Sequence, residues 1–364
     1  MGGERSAWWV AKHGAIEVKC RPIAGHGLVF LDGLRLHLST RVSIIPMSSF
    51  PHHFSFDPSY GGNLASLLAV AVPPEPADFS RFWQARYAQA LQLAPLAERS
   101  ASGQTRAGFK VEDVFYESTD GFRIGGWLLT PLAGPVRRAL LVGHGYGGRD
   151  GPDVDLPINE AAYLFPCFRG LSRSRRGDVS DNPAYHVLHD IDKPSRYILG
   201  GCVEDVWVGV SLLQALFPQV EGHVGYQGTS FGGGIGAMAM AWDARIRRGA
   251  LNVPTFGHQP LRLSLPTTGS GEAVSRFERR HGHVMETLQY YDAALAARHI
   301  TVPTHVTAAL FDPVVAPPGQ FAIYNALAGP KALFVVDGGH FDYPARAEQE
   351  TLLFQDLQRF FDLL

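Results

Sequence analysis

Three polar residues far apart in the chain have the types and the order that acyl transfer requires: Ser230, Asp312 and His340. Ser230 lies in Gly228-Thr229-Ser230-Phe231-Gly232, which fits the G-x-S-x-G nucleophile elbow. A serine hydroxyl is a poor nucleophile near neutral pH. It needs a base to take its proton, and the base needs an acid to hold its tautomer. His340, after the tight Asp337-Gly338-Gly339 turn, is the candidate base, and Asp312, after the apolar run Ala308-Ala309-Leu310-Phe311, is the candidate acid. Asp337 is a rival acid, but it stands too close along the chain to face the His340 ring. A tetrahedral intermediate also needs N–H donors aimed at its oxyanion. Phe231, directly after the nucleophile, and Tyr146, inside His144-Gly145-Tyr146-Gly147-Gly148, are the candidates. That glycine cluster lacks the Gly-Lys-Ser/Thr ending of a phosphate-binding loop. The bland alternative is a glycine-rich turn with an idle serine.

Such residues must be held by strands and helices. The β-like run His223 to Tyr226 precedes the elbow, and the small-residue run Ile235 to Ala241 follows it, the strand–turn–helix context the motif needs. Val111–Tyr116 and Phe122–Leu129 flank the turn Thr119-Asp120-Gly121 and read as an antiparallel hairpin. Ala139–Val142 is wholly apolar, as a strand buried on both faces should be. Further strands are expected at 161–168, 249–253, 302–310 and 333–336, and helices after Asp78, over 206–217, around 284–297 and over 348–361. Phe82, Trp83, Tyr87 and Leu91 have the spacing of a buried helix face. The alternation predicts an α/β fold with a mostly parallel central sheet covered by helices on both faces. Residues 171–200 read as an irregular excursion and 255–300 as an insertion near the site. Residues 47–77 are turn-rich and are expected to wrap the surface. Residues 1–46 read as an N-terminal extension of β character, with a turn signal at Asp32-Gly33, and Met47 stands before what reads as a natural start. The catalytic domain is expected over 47–364.

Composition narrows the classes. Hydrophobic residues make up 46% and charged residues 18%, which supports a substantial core and argues against disorder. A net charge of −2 gives no electrostatic case for nucleic acid or an anionic membrane as a partner. The three cysteines, Cys20, Cys167 and Cys202, have no metal or disulfide spacing and read as buried free thiols. No cofactor and no metal are expected. No apolar run has the length of a membrane span, and the first residues show no leader pattern, so a cytoplasmic location is expected.

Several further stretches carry a resemblance. Phe82-Trp83, Ile124 to Pro131, His144 to Gly148, Arg169-Gly170, Gly228 to Gly233, Tyr291-Asp292-Ala293, Pro317-Pro318, Tyr324-Asn325 and Ala328 to Lys331 together resemble the acetyl xylan esterase and cephalosporin-C deacetylase family, carbohydrate esterase family seven. The resemblance runs from about Phe54 to the C-terminus. It implies an α/β-hydrolase fold, a Ser230–Asp312–His340 triad with Tyr146 and Phe231 as oxyanion donors, deacetylation of short acyl esters on sugars, and often a hexameric assembly. The expected partners are therefore an acetylated sugar or other small ester and further copies of the chain. Leu171, Phe231 and Phe341 depart from the family's Gln, Gln and Glu and make the site more apolar. A peptidase or lactone hydrolase on the same fold, or a non-catalytic binding protein, are the alternatives.

Overall fold

The computed structural model describes residues 50–364 in full. Upstream it describes only the backbone of four short strands, β1 (Trp9–His13), β2 (Ile16–Cys20), β3 (Gly27–Leu31) and β4 (Leu34–Leu38). The Asp32-Gly33 turn, Met47, the boundary at residue 46 and the Cys20 side chain lie outside the described residues.

The nine strands from β5 onward carry the site. They are β5 (Ala97–Arg106), β6 (Phe109–Ser118), β7 (Phe122–Pro131), β8 (Arg138–Gly143), β9 (Ala161–Pro166), β10 (Val224–Thr229), β11 (Ile246–Asn252), β12 (Thr304–Ala309) and β13 (Lys331–Val336). Their order across the sheet is β13-β12-β11-β10-β8-β9-β7-β6-β5. All pairs from β13 to β9 are parallel, and β7, β6 and β5 close the far side as antiparallel neighbours. The chain leaves β8 for β9 on one side and returns to β10 on the other. Ligands of open α/β sheets bind at such a reversal, here the carboxyl ends of β8 and β10.

Period-two alternation sorts each central strand between two cores. Ala139 and Leu141 of β8 face one core, which also contains Trp83, Val206, Trp207, Ile235, Leu295 and Phe321. Leu140 and Val142 face the other, with Phe334, Val336, Leu353, Leu357 and Phe361. Helices Phe79–Ala90, Ile198–Leu216, Phe231–Met240 and Pro317–Ala326 therefore cover one face, and Arg346–Phe361 the other.

Several elements differ from expectation; the helix expected around 284–297, for one, is two short helices, Met285–Leu288 and Ala293–Ala297, the second capped by Asp292. Helix Ile198–Leu216 starts eight residues before 206. Gly200 and Gly201 hide its first turns, because they read as breakers. Their role is close approach: a Cβ at Gly200 would collide with Arg86, and one at Gly201 with Arg169. This helix is long and apolar enough to cross a membrane, contrary to the reading of the sequence, but 83% of its apolar window is buried inside the domain. Asp78 precedes Phe79–Ala90 without capping it; its Oδ1 accepts from the Tyr290 hydroxyl at 2.8 Å instead. On that helix Trp83 is fully buried, whereas Leu91 lies just past the end and is exposed. In the insertion, helix Ser270–His281 was not legible, because its start, Gly269-Ser270-Gly271, reads as a turn and its face is mostly polar. Cys167 and Cys202 are buried free thiols, as expected.

Candidate active site

Strand register brings the candidate residues to one edge. Gly143 at the end of β8 pairs with Gly228 in β10, Thr229 pairs with Asn252 at the end of β11, and Ala309 pairs with Val336 at the ends of β12 and β13. The glycine loop, Ser230, Asp312 and His340 all follow within a few residues of those levels. Ser230 takes φ 55° and ψ −110° at the turn into helix Phe231–Met240. A non-glycine residue in such a region is strained by roughly 1–3 kcal/mol. The surroundings hold it there: the Ser230 N–H donates to the Asn252 carbonyl at 2.8 Å, and the Gly232 N–H donates to the His144 carbonyl at 2.9 Å. A Cβ at Gly228 would collide with the Gly232 carbonyl, and one at Gly232 would sit 2.7 Å from the Gly143 carbonyl carbon. Both glycines are therefore required by close backbone approach.

The three side chains meet. The His340 Nε2 is 2.8 Å from the Ser230 Oγ, and its Nδ1 is 2.8 Å from the Asp312 Oδ2. Asp312 is fully buried. It accepts from the Val314 and Val315 amides at 2.9 Å each and from the Gln320 Nε2 at 3.0 Å. With the carboxylate as acceptor, Nδ1 carries the imidazole proton and Nε2 is free to accept from the serine hydroxyl. Burial works to lower the His340 pKa, but the hydrogen bond and charge of Asp312 outweigh it and hold it above its ordinary value. A Cβ at Gly339 would collide with Asp312 Oδ2, so that glycine lets the two loops meet. His340 Nδ1 meets Asp312 and not the rival Asp337, whose amide is tied to Gln349 at 3.0 Å.

The glycine loop is pinned beside the elbow. The His144 Nε2 accepts from the Phe168 amide at 3.0 Å, so its Nδ1 donates to the Gly145 carbonyl at 2.7 Å. The Gly148 N–H donates to the same carbonyl at 3.0 Å. In a trans peptide the N–H of the next residue, Tyr146, points the opposite way. Phe231 opens its helix, so its N–H has no intrahelical acceptor. The Tyr146 ring lies 4.1 Å from the Phe231 ring, and its hydroxyl donates to His186 Nδ1 at 2.9 Å, because His186 Nε2 is used on the Arg169 carbonyl. Burial drives both histidines down, His144 to about 3 and His186 to about 4, so both are neutral packing groups near pH 7.

Other signalled residues lie elsewhere or were missed. Arg169 is buried in an ion pair with Asp205 at 2.7 Å and donates to Thr119 at 2.8 Å, a structural role. Leu171 is core. Phe341 packs 4.9 Å from Phe311, which in turn meets Phe50 at 5.2 Å. The turn-rich segment thus reaches the site, and the Pro58 carbonyl accepts the Asp312 amide at 3.0 Å. Aromatic density at 50–56 was the available signal. Among the described residues no group of His, Cys, Asp or Glu side chains is arranged to hold a metal.

Sheet order and the nucleophile elbow define an α/β-hydrolase. A family model for acetyl xylan esterase (AXE1) matches residues 70–357. The chain belongs to that family, a family of carboxylic ester hydrolases. Solved structures agree on the fold. The acetyl xylan esterase from Paenibacillus sp. R4 is 24% identical, with 81% of this chain and 99% of that one covered and a TM-score of 0.69. Acetyl xylan esterase 1 from Thermoanaerobacterium sp. JW/SL YS485 is 21% identical, with 83% and 99% covered and a TM-score of 0.69. The acylaminoacyl peptidase of Pyrococcus horikoshii, 11% identical, covers 99% of this chain with 50% of its own length at a TM-score of 0.53. No curated protein matches the sequence.

Proposed function

We propose that the protein is a serine esterase that removes acetyl or similarly short acyl groups from carbohydrates or related alcohols through an acyl-enzyme. The observation that carries this reading is the unbroken contact from Ser230 Oγ to His340 to Asp312, both links at 2.8 Å. Ser230 attacks the ester carbonyl while His340 Nε2 takes its proton. Charge developing on the carbonyl oxygen would be met by the Tyr146 and Phe231 N–H groups, a reading supported by the Phe231 N–H at the helix start and by the Gly145–Tyr146 peptide, whose carbonyl is turned to His144 and Gly148. Collapse expels the alcohol, which takes the proton back from His340. Water then attacks the acyl-serine by the same route in reverse, and carboxylate leaves. Membership of the acetyl xylan esterase family supports the choice of an acetyl ester on a sugar as substrate.

The test is pre-steady-state hydrolysis of p-nitrophenyl acetate, followed by a comparison of acetylated xylose with peptide amides. A burst of one nitrophenol per protein, absent in Ser230→Ala, is expected. Cleavage of the amides alone, or unchanged turnover in the variant, would overturn the reading.

A further inference from the structure

The loop that carries Tyr146 cannot hold its own shape. Tyr146 stands between Gly145 and Gly147, and Gly148 follows at φ 78°, so its neighbours bring no side chain to pack and the backbone is free to turn. A Cβ at Gly147 would meet nothing within 4 Å. The direction of the Tyr146 N–H therefore depends on what holds the peptide on each side. On one side the Gly145 carbonyl accepts from His144 Nδ1 and from the Gly148 N–H. On the other the anchor is the Tyr146 side chain, whose hydroxyl reaches His186, 40 positions further along the chain.

His186 ends the short helix Pro183–His186 and is fully buried. Both of its ring nitrogens are used. Nε2 donates to the Arg169 carbonyl and Nδ1 accepts from the Tyr146 hydroxyl, each at 2.9 Å. A carbonyl can only accept, so it fixes the tautomer, and that tautomer leaves Nδ1 a lone pair for the tyrosine. The ring also stands edge-on to Tyr146, with centroids 5.4 Å apart, and to Phe231, at 6.2 Å. His186 thus meets the side chains of both candidate oxyanion donors, whose own rings pack 4.1 Å apart.

The support behind His186 is itself tied down. The Arg169 N–H donates to Asp205 Oδ2 at 3.0 Å while its guanidinium pairs with the same carboxylate, so the carbonyl that His186 meets is fixed to helix Ile198–Leu216. Gly170, at φ 82°, makes room for the imidazole: a Cβ there would lie 3.0 Å from His186 Nε2. Buried hydrogen bonds therefore run from Asp205 through Arg169 and His186 to Tyr146, and end at the loop beside Ser230. Burying a polar ring costs free energy that an apolar side chain in its place would not. What the imidazole supplies is a fixed position for the Tyr146 side chain.

We propose that His186 is a positioning residue for the oxyanion pair: it holds the Tyr146 ring against Phe231 and thereby aims the Tyr146 N–H at the substrate carbonyl oxygen. It touches no substrate and moves no proton. The proposal rests on the reading of Tyr146 and Phe231 as oxyanion donors of a serine esterase.

The test compares His186→Leu, His186→Gln, Tyr146→Phe and the double variant His186→Leu plus Tyr146→Phe on p-nitrophenyl acetate. Acylation and deacylation both pass through an oxyanion, so His186→Leu should lower kcat roughly ten- to a hundredfold with KM within about twofold. Trifluoroacetone, which adds to the serine and leaves an oxyanion in the same place, should bind more weakly by the same factor. The acid limb set by His340 should not move. Tyr146→Phe deletes one oxygen and should show the same loss, and the double variant should lose no more than either, because the two residues act as a unit. His186→Gln, which still donates and accepts, should recover most of the rate. Thermal unfolding reports which variants are folded, and Tyr146→Phe carries the test if His186→Leu is not. A folded Tyr146→Phe with wild-type kcat and trifluoroacetone affinity would overturn the positioning role. So would losses that add in the double variant, a loss confined to KM, or a shifted acid limb. Each of these leaves Ser230-dependent hydrolysis, and with it the esterase reading, in place; a wild type without such hydrolysis would overturn both.

Discussion

At the scale of single residues, the chemistry depends on which proton His340 carries and when. Its raised pKa comes from Asp312, and it must be neutral to accept the serine proton. The acid limb of kcat/KM should therefore fall above the ordinary histidine value of 6.5, with activity rising as pH rises through it. Asp312→Asn removes the cause of the upward shift and leaves burial, which acts in the opposite direction. The limb should move to lower pH, and kcat should drop by about four orders of magnitude because the tautomer is no longer fixed. A pH–rate series on the two proteins checks both effects; a limb that stays in place would separate Asp312 from His340. Serine, acid and base were all legible in the sequence, because each stands in a short glycine-marked or post-strand context. The docking of the 265–269 loop on the acid loop, with Thr268 donating to the Pro313 carbonyl at 2.9 Å, was not, since it joins segments far apart in the chain.

At the scale of elements, the site depends on two backbones passing without side chains between them. Helix Phe231–Met240 touches the start of the glycine loop through Gly232, so Gly232→Ala must push Gly143 and His144 away from the elbow. Activity should fall at least tenfold while the far-ultraviolet circular dichroism is retained; an active variant would show that the loop can shift without cost. Helix Ile198–Leu216 depends on buried charge. Arg169 has its pKa raised by Asp205 in spite of burial, and both side chains are shielded from water. Arg169→Met would leave Asp205 unpaired and should destabilise the fold by roughly 3–5 kcal/mol in urea unfolding. Strands β6 to β8 were plain in the sequence because alternation or continuous apolarity marks them. The start of this helix was hidden because its glycines serve arginines that approach from residues 86 and 169, a relation no local window contains. Ser270–His281 was hidden for a different reason, a polar surface helix that begins at a glycine turn.

At the scale of the whole molecule, titration links stability to the site. His144 and His186 are held neutral by burial, with folded values of about 3 and about 4 against 6.5 in the unfolded chain. Between those limits the unfolded chain binds more protons, so stability is lost as pH falls below about 6.5. His340 has the opposite sign: its raised value gives stability that is present below 6.5 and lost as pH rises through the folded value. Below 6.5 His340 is protonated in both states and adds little slope, so Tm should fall between pH 6.5 and 4.5 through His144 and His186, and His186→Gln, which can still donate and accept, should flatten that fall. A steeper fall in the variant would contradict the assignment. The fold also explains how residues 230, 312 and 340 converge, since parallel strands place the ends of β10, β12 and β13 on one edge. The most direct measurement of that convergence is active-site labelling with a fluorophosphonate, read by peptide mass spectrometry. The account predicts one adduct per chain, on Ser230, slowed strongly in His340→Ala. A folded protein labelled at another residue, or labelled equally fast without His340, would contradict it.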